Sequence, residues 1–365
     1  MPAAPPDVHS SATSTSQRSR IKPKVEATAN RRGARELFAQ RVGKPTSHAA
    51  RTGSRPRSRG IDAPVAAGAN TRAAIAAQPD WLRAVPTDRR VRERSLVVVT
   101  GCGSSFHAAS TVPRVDHRLD GGYGGTRVEH ALECVMRPPG ANLLVLVSHE
   151  GATRLTLEAA RAFEGPKWLV TGKAEGPIAE LCEEVIVAAP EIEKSYCHTA
   201  SYTCAVAALA ALVGEDISWL PDAVAEALNA EREPVSKHER WLVAGAGREW
   251  ATAQEAVLKL REGAHVAAEA HHIEQLLHGH LAAVDETVRC FVLEGEGRAA
   301  ERAHEVVAAL RELGCETILV PTRHPVVDIV RFQLLAVDLA EARGVDPDTI
   351  RLDDPRWKRA RDRYA

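Results

Sequence analysis

The 365 residues are enough for two ordinary domains, each with a core of its own. With 44% hydrophobic residues, 26% charged residues and a net charge of −1, the composition is that of a soluble protein and excludes a chain built as a whole to hold nucleic acid. Seven scattered cysteines without a CxxC pair exclude a disulfide framework and point to a reducing cytoplasm, and no apolar run approaches the roughly 20 residues of a membrane span.

Residues 1–68 are rich in Ser, Pro, Ala and Arg. From Arg18 to Arg59 the arginines are opposed only by Glu26 and Glu36. Such a segment buries too little apolar surface to offset its ordering entropy and reads as a disordered basic tail. A transit peptide, a basic arm touching nucleic acid and an over-extended start are the other readings. Beyond it, short β-branched runs alternate with amphipathic stretches, which predicts an α/β fold with mainly parallel sheets. The run LVVVTGCGSSFHAAS (96–110) is a strand that ends in glycines and opens a small-residue helix. ANLLVLVSHEGAT (141–153) repeats the device, GPKWLVTG and EEVIVAAP add strands, and the nearly uncharged SYTCAVAALAALVG (201–214) predicts a buried helix. Strand, Gly-x-Gly and helix then recur in WLVAGAGREWATAQEAVLKLRE (241–262), followed by VRCFVLEGEGRAAERAHEVVAALRELG and ETILVPT. This order suggests an internal duplication: a first domain over 69–228, a second over 229–345 and a C-terminal segment over 346–365. In open sheets of this kind ligands bind beyond the carboxyl ends of the strands, where both Gly-x-Gly loops and VSHEGAT fall.

The GCGSS loop lacks the third glycine of a dinucleotide site, so no nucleotide cofactor is expected. What remains is an anion site built from Ser104, Ser105, Ser148, Thr153 and helix N-termini, whose unpaired N–H groups carry partial positive charge. Helix capping is the plainer role for any one of these hydroxyls. Two consecutive strand ends with several hydroxyls each argue for more than capping.

These pieces, together with QPDWLR (78–83), EKSYCHTASYT (193–203) and LLHGHLAAV (276–284), resemble the sugar isomerase (SIS) domain. Their tandem arrangement is similar to the isomerase half of the glutamine–fructose-6-phosphate aminotransferases. The resemblance spans about residues 78–351 and implies two SIS-type three-layer αβα subdomains. The glutaminase domain of those enzymes needs a cysteine directly after the initiator Met, where this chain has Pro2.

Aldose–ketose chemistry needs a base over the first two sugar carbons, a group that opens the ring and an anchor for phosphate. In EAVLKLRE, Glu255, Lys259 and Glu262 share one helix face, opposite Ala253, Val257, Leu260 and Ala264. By spacing alone, that face reads equally as a solvated Glu–Lys face. The resemblance implies that Glu262 is the enolisation base, that Lys259 lines the sugar site, and that His278 opens the ring from the neighbouring subunit of a homodimer. It also implies Glu255, His149, His198 and Thr199 as substrate-binding residues beside the hydroxyls named above. His265, His271, His272, His278 and His280 crowd one stretch, but no HExxH-type spacing appears and no metal is expected.

The family loop reads Ser-x-Ser-Gly-x-Thr around a sugar phosphate; here Glu150 stands at its second serine. A carboxylate about 4 Å from a dianion costs on the order of several kcal/mol even at an effective dielectric near 20. Glu150 then either points away, is offset by His149 and His198, or meets a ligand carrying an amine or less charge. A sugar derivative is therefore expected over a plain hexose phosphate. The family's C-terminal Pro-Arg-x-Leu-x-Lys lysine is missing, and Arg351 or Lys358 is the candidate substitute. The reading is a cytoplasmic, cofactor-free isomerase or amino-sugar isomerase/deaminase acting on a sugar derivative that is expected to be phosphorylated, without membrane or nucleic-acid partners. The competing reading is a non-catalytic SIS module that binds a carbohydrate derivative.

Overall fold

Strands and helices alternate along the chain, as the periodicity predicts. In the computed structural model the described residues are 66–92, 95–113, 116–119 and 122–364. The predicted tail therefore lies, up to residue 65, outside them. The first half runs α1 (Ala69–Arg83), β1 (Leu96–Gly101), α2 (Ser104–Ser110), β2 (Asp116–Leu119), β3 (Gly122–His130), α3 (Ala131–Met136), β4 (Leu143–Val147), α4 (Arg154–Ala162), β5 (Lys167–Thr171), β6 (Glu184–Val187), α5 (Ala200–Leu212) and α6 (Leu220–Leu228). The second half runs β7 (Arg240–Gly245), α7 (Arg248–Ala264), β8 (Ala267–His272), α8 (Ile273–Leu277), β9 (Val288–Leu293), α9 (Arg298–Glu312), β10 (Glu316–Val320), α10 (Pro325–Arg343) and α11 (Pro355–Arg361).

The first sheet has the order β2-β3-β1-β4-β5-β6, parallel except for the β2–β3 pair, and the second is the all-parallel β10-β9-β7-β8. The stretches β3-β1-β4-β5 and β8-β7-β9-β10 correspond, which is the duplication inferred from the motifs. Two elements were not anticipated. The β2–β3 hairpin extends one edge of the first sheet. β8, at an edge of the second, carries Glu269, His271 and His272 and so lacks the β-branched signal of a buried strand.

Alternation along the strands separates the layers. Val97 and Val99, Val145 and Val147, and Trp241 and Val243 enter one continuous core shared by both sheets with α5, α7 and α10. Their neighbours Val98, Leu144 and Leu146 face α3 and α4, whereas Leu242 and Ala244 face α9. Both sheets lie in one compact unit from Ala63 to Ala365. No helix among the described residues is long and apolar enough to cross a membrane.

Each Gly-x-Gly loop solves the same steric problem. A Cβ on Gly101 would stand 2.9 Å from the Ser105 backbone, and one on Gly245 would stand 2.4 Å from the Glu249 carbonyl oxygen. Gly103 (φ 57°) and Gly247 (φ 61°) then turn the chain into α2 and α7.

The helix α1 takes its N-terminal cap from distant carboxylates. α1 has no acid in its first turn and no side-chain cap of its own. Asp346 instead accepts the Gly68 N–H at 2.9 Å, and Asp348 accepts the N–H groups of Asn70 (3.0 Å) and Thr71 (2.8 Å) and the Thr71 hydroxyl (2.6 Å). The Thr71 hydroxyl also lies 2.7 Å from Ser195 Oγ, and the Tyr196 N–H donates to the Asp348 carbonyl (3.1 Å), so the C-terminal segment holds the loop that precedes α5. Asp348→Ala strands two helix N–H groups and a buried hydroxyl. A loss of about 2 kcal/mol or more in urea-unfolding stability is expected.

Candidate functional site

The loops that follow β1 and β4, the loop that opens α5 and the inward face of α7 converge. Glu255, Lys259 and Glu262 share that face, and it is not solvated: Glu255 and Lys259 are 0% exposed, and the Glu262 side chain is 24% exposed. Lys259 Nζ donates to Glu262 Oε2 (2.7 Å), to the His198 carbonyl (2.9 Å) and to Ser104 Oγ (3.4 Å), and lies 3.4 Å from Glu255 Oε1. Glu255 accepts the Ser104 hydroxyl at 2.9 Å, and its other oxygen lies 2.8 Å from His107 Nδ1. His107 was not singled out from the sequence, because a histidine one turn into a small-residue helix carries no signal of its own.

Burial works against charge on all three α7 side chains, and their neighbours decide the outcome. For Glu255, burial pushes the pKa up, but Lys259, His107 and Ser104 together hold it below the usual carboxylate range. For Lys259, burial pushes down, yet Glu262 and Glu255 prevail and keep it an ammonium far above its ordinary range. For Glu262, burial outweighs the pull of Lys259 and raises the carboxyl pKa. Two carboxylates on one lysine are thus driven apart in acidity, and the more exposed one is the more basic.

Ser104 and His198 also border a narrow cleft, whose polar lining is completed by Ser105, His149, Thr171 and Ser201, with Tyr202 beside them. The two imidazoles meet edge to face, with ring centres 5.0 Å apart. His149 Nε2 accepts the Glu193 N–H at 3.1 Å, which requires a neutral ring, and burial lowers its pKa. Burial, with His149 and Lys259 nearby, pushes His198 down to about 3. The cleft therefore offers neutral donors and acceptors.

The remaining predicted residues do not join it. Ser148 and Thr153 pair their hydroxyls at 3.0 Å and are not part of the cleft lining. Thr199 gives both its N–H (2.7 Å) and its hydroxyl (2.8 Å) to Glu193 Oε1, and Ser201 gives the same two groups to Oε2 (2.9 and 2.6 Å). A side chain of the protein thus fills the anion site at the start of α5. Glu150 is exposed: residues 148–151 form a turn closed by the Gly151 N–H on the Ser148 carbonyl (3.1 Å), with Glu150 at its outer corner. His149, the other corner residue, turns inward against Gly172. His278 is 67% exposed and bonded to Glu274 at 2.7 Å, away from Lys259 and Glu262 within the chain. Arg351 stacks on Trp357, and Lys358 is exposed on α11. Among the described residues no group of three or more His, Cys, Asp or Glu is placed to hold a metal ion.

Residues 235–346 match the family described as SIS domain. A glutamine–fructose-6-phosphate aminotransferase [isomerizing] of Xanthomonas campestris pv. campestris is 28% identical over 314 residues, covering 72% of this chain and 51% of the relative. The chain therefore spans about half the length of the curated relatives it matches. Among solved structures, glucosamine-6-phosphate deaminase from Thermotoga maritima superposes with a TM-score of 0.61 at 18% identity, covering 77% of this chain and 97% of that one. Tagatose-6-phosphate ketose/aldose isomerase from Escherichia coli gives 0.62 at 18% identity, covering 79% and 97%. Both likenesses are of fold.

Two substitutions test the placement of the loop. A Cβ on Gly172 would stand 2.6 Å from His149 Nδ1, so Gly172→Ala displaces a ring already anchored to Glu193. A loss of about 1–3 kcal/mol in urea-unfolding stability is expected, a strained contact plus a hydrogen bond. Glu150→Ser removes a charge that water already screens, and is expected to change the same stability by less than about 0.5 kcal/mol.

Proposed function

Taking as premise that residues 235–346 are a SIS domain and that the whole unit has the fold of SIS-type sugar enzymes, we propose that this protein is a sugar-phosphate or amino-sugar derivative isomerase or deaminase. The observation that carries the reading is the split pair of carboxylates on Lys259. Glu255 is locked as an anion by three partners, while Glu262 is raised in pKa, partly exposed, and bonded through one oxygen.

In this reading Glu262 removes the proton from the second carbon of the open-chain sugar. The C–H electron pair moves into a carbon–carbon double bond, and the carbonyl oxygen is protonated to an enediol. Return of the proton to the neighbouring carbon completes the isomerisation, and no electrons leave the sugar, so no redox cofactor is called for. In the deaminating direction the same base acts on an amino sugar and the amine departs as ammonia after water adds. Lys259 orients Glu262, and its ammonium favours charge that develops on the sugar oxygens. The resemblance to the isomerase half of the aminotransferases assigns His278 to ring opening in a neighbouring copy of the chain, and its exposed position is in keeping with that assignment. A homodimer with a shared site follows from that assignment.

Incubation of the protein in deuterated water with fructose 6-phosphate or glucosamine 6-phosphate tests the reading. Deuterium is expected to enter at the first carbon of fructose 6-phosphate and at the second carbon of glucosamine 6-phosphate with the wild type, and Glu262→Gln is expected to slow entry by about a hundredfold or more while binding persists. The active form is the ionised carboxylate, and its pKa is raised. The rate should therefore fall, as pH drops, at a midpoint above the ordinary glutamate range. Binding without exchange in the wild type would leave a carbohydrate-binding module in place of an enzyme.

A further inference from the structure

Two carboxylates flank Lys259 on α7, Glu255 one turn before it and Glu262 one turn after, and by chemistry alone either is a candidate base. What separates them comes from α2. Ser104 and His107 stand one turn apart and so share a face of that helix. Ser104 Oγ donates to Glu255 Oε1 at 2.9 Å, and His107 Nδ1 lies 2.8 Å from Glu255 Oε2. A single turn of α2 therefore grips both oxygens of one carboxylate. The Glu262 side chain receives only the Lys259 ammonium among the described residues, at 2.7 Å and through one oxygen.

Of the two grips, that of His107 is the undivided one. An ionised carboxylate only accepts hydrogen bonds, so the Nδ1 that faces it carries the hydrogen. The Ser104 hydroxyl is shared, because Lys259 Nζ also reaches it at 3.4 Å. The His107 side chain is 15% exposed, and the Phe106 ring meets it edge-on with centres 6.3 Å apart. The other titratable side chains around the pair are Cys197 and His198 ahead of α5, Tyr202 on α5, and His130 at the end of β3, which stacks on Phe106 at 3.7 Å. Burial pushes Cys197 up to about 12, Tyr202 well above its usual value and His198 down to about 3. Among these groups His107 alone bonds to Glu255.

We propose that His107 is a positioning residue that decides which of the two carboxylates is the base: its donor holds Glu255 as the fixed anion, and the ammonium of Lys259 stays on Glu262. The proposal rests on the isomerase or deaminase reading above and deepens it. Without the imidazole donor, the fully buried Glu255 has to draw more of its stabilisation from Lys259, 3.4 Å away, at the expense of Glu262. Glu262 then loses its orientation and part of the positive charge that keeps it ionised. His107 is not part of the cleft lining, so its loss acts through Glu255 and Lys259 and leaves contacts with the sugar in place.

The test compares His107→Asn, whose amide nitrogen takes the place of Nδ1, with His107→Leu, which keeps the bulk and has no donor; thermal melts show that each variant is folded. Two quantities are read. One is deuterium exchange into fructose 6-phosphate and glucosamine 6-phosphate. The other is the titration of Glu262 in the sugar-free protein, followed by NMR of isotope-labelled glutamate carboxyls and assigned with Glu262→Gln. His107→Leu is expected to lower kcat for exchange about tenfold or more with KM within about twofold, the loss of one hydrogen bond to a charged group, and to raise the Glu262 midpoint by about half a pH unit or more. His107→Asn is expected to restore kcat to within about threefold of the wild type and to return the midpoint. A merely structural role for the ring moves stability and leaves the midpoint where it was. A Glu262 midpoint that stays or falls in His107→Leu overturns the inference, whether or not the sugars exchange. A loss of kcat that His107→Asn fails to repair, or a change carried by KM, overturns it as well. If the wild type exchanges neither sugar, the enzymatic reading falls, and the midpoint still decides whether His107 governs the pair.

Discussion

The structure turns on one buried ammonium. Lys259 has no exposed surface, and a primary ammonium without partners in such a place would cost several kcal/mol. Its partners come from three separate parts of the chain: Ser104 at the start of α2, the His198 carbonyl ahead of α5, and Glu255 and Glu262 on α7. The first half of the chain is therefore locked to the second by charge as well as by the shared apolar core. The glycine turn at Gly103 has to deliver Ser104 within reach of both Glu255 and Lys259, and the loop before α5 has to turn a carbonyl toward the lysine. A substitution that misplaces either strand end leaves a charge stranded, so the site and the interface between the halves rise or fall together.

Around this ionic centre the cleft is electrically quiet. Two imidazoles stand in the β4 and α5 loops, and burial keeps both neutral. The helix N-terminus that would attract an anion is already occupied by Glu193, and the acid in the β4 loop faces water. The anomaly of a carboxylate inside an anion cradle thus dissolves in the backbone. The turn that presents the loop gives its two corner residues opposite directions, and the histidine takes the inner one. The cleft thus presents directed hydrogen-bonding groups, and only at the α7 edge does formal charge enter.

The architecture was legible in the sequence because it rests on repeated local signals. Strand–glycine–helix occurs at both Gly-x-Gly loops and again at VSHEGAT, and each instance folds as read. The juxtaposition of Ser104, Lys259 and Glu262 was legible only through resemblance, since Glu255, Lys259 and Glu262 at helical spacing look the same on a wet face as on a buried one. What escaped detection escaped for identifiable reasons. His107 gains meaning only from a partner far away in sequence. Glu193 lay inside a quoted motif, but nothing in the motif distinguishes a ligand-binding acid from one that caps a helix. β8 is too polar to announce itself as a strand. Thr199 and Glu150 occupy motif positions, and spacing does not tell which side of a turn a residue faces.

The carboxylate of Asp348 reaches back across 277 residues to the hydroxyl of Thr71, which touches Ser195, and the same segment's carbonyl holds the N–H of Tyr196. The loop that presents the His198 carbonyl to the lysine is therefore finished by residues made long after it. During vectorial synthesis the first sheet is complete in sequence long before Asp348 emerges, but it has neither the lysine nor the clasp on its loop. Contacts of such span are slow to form. Until Asp348 is made this chain is a sheet without the clasped loop, and the candidate site is completed only when segments 277 residues apart meet.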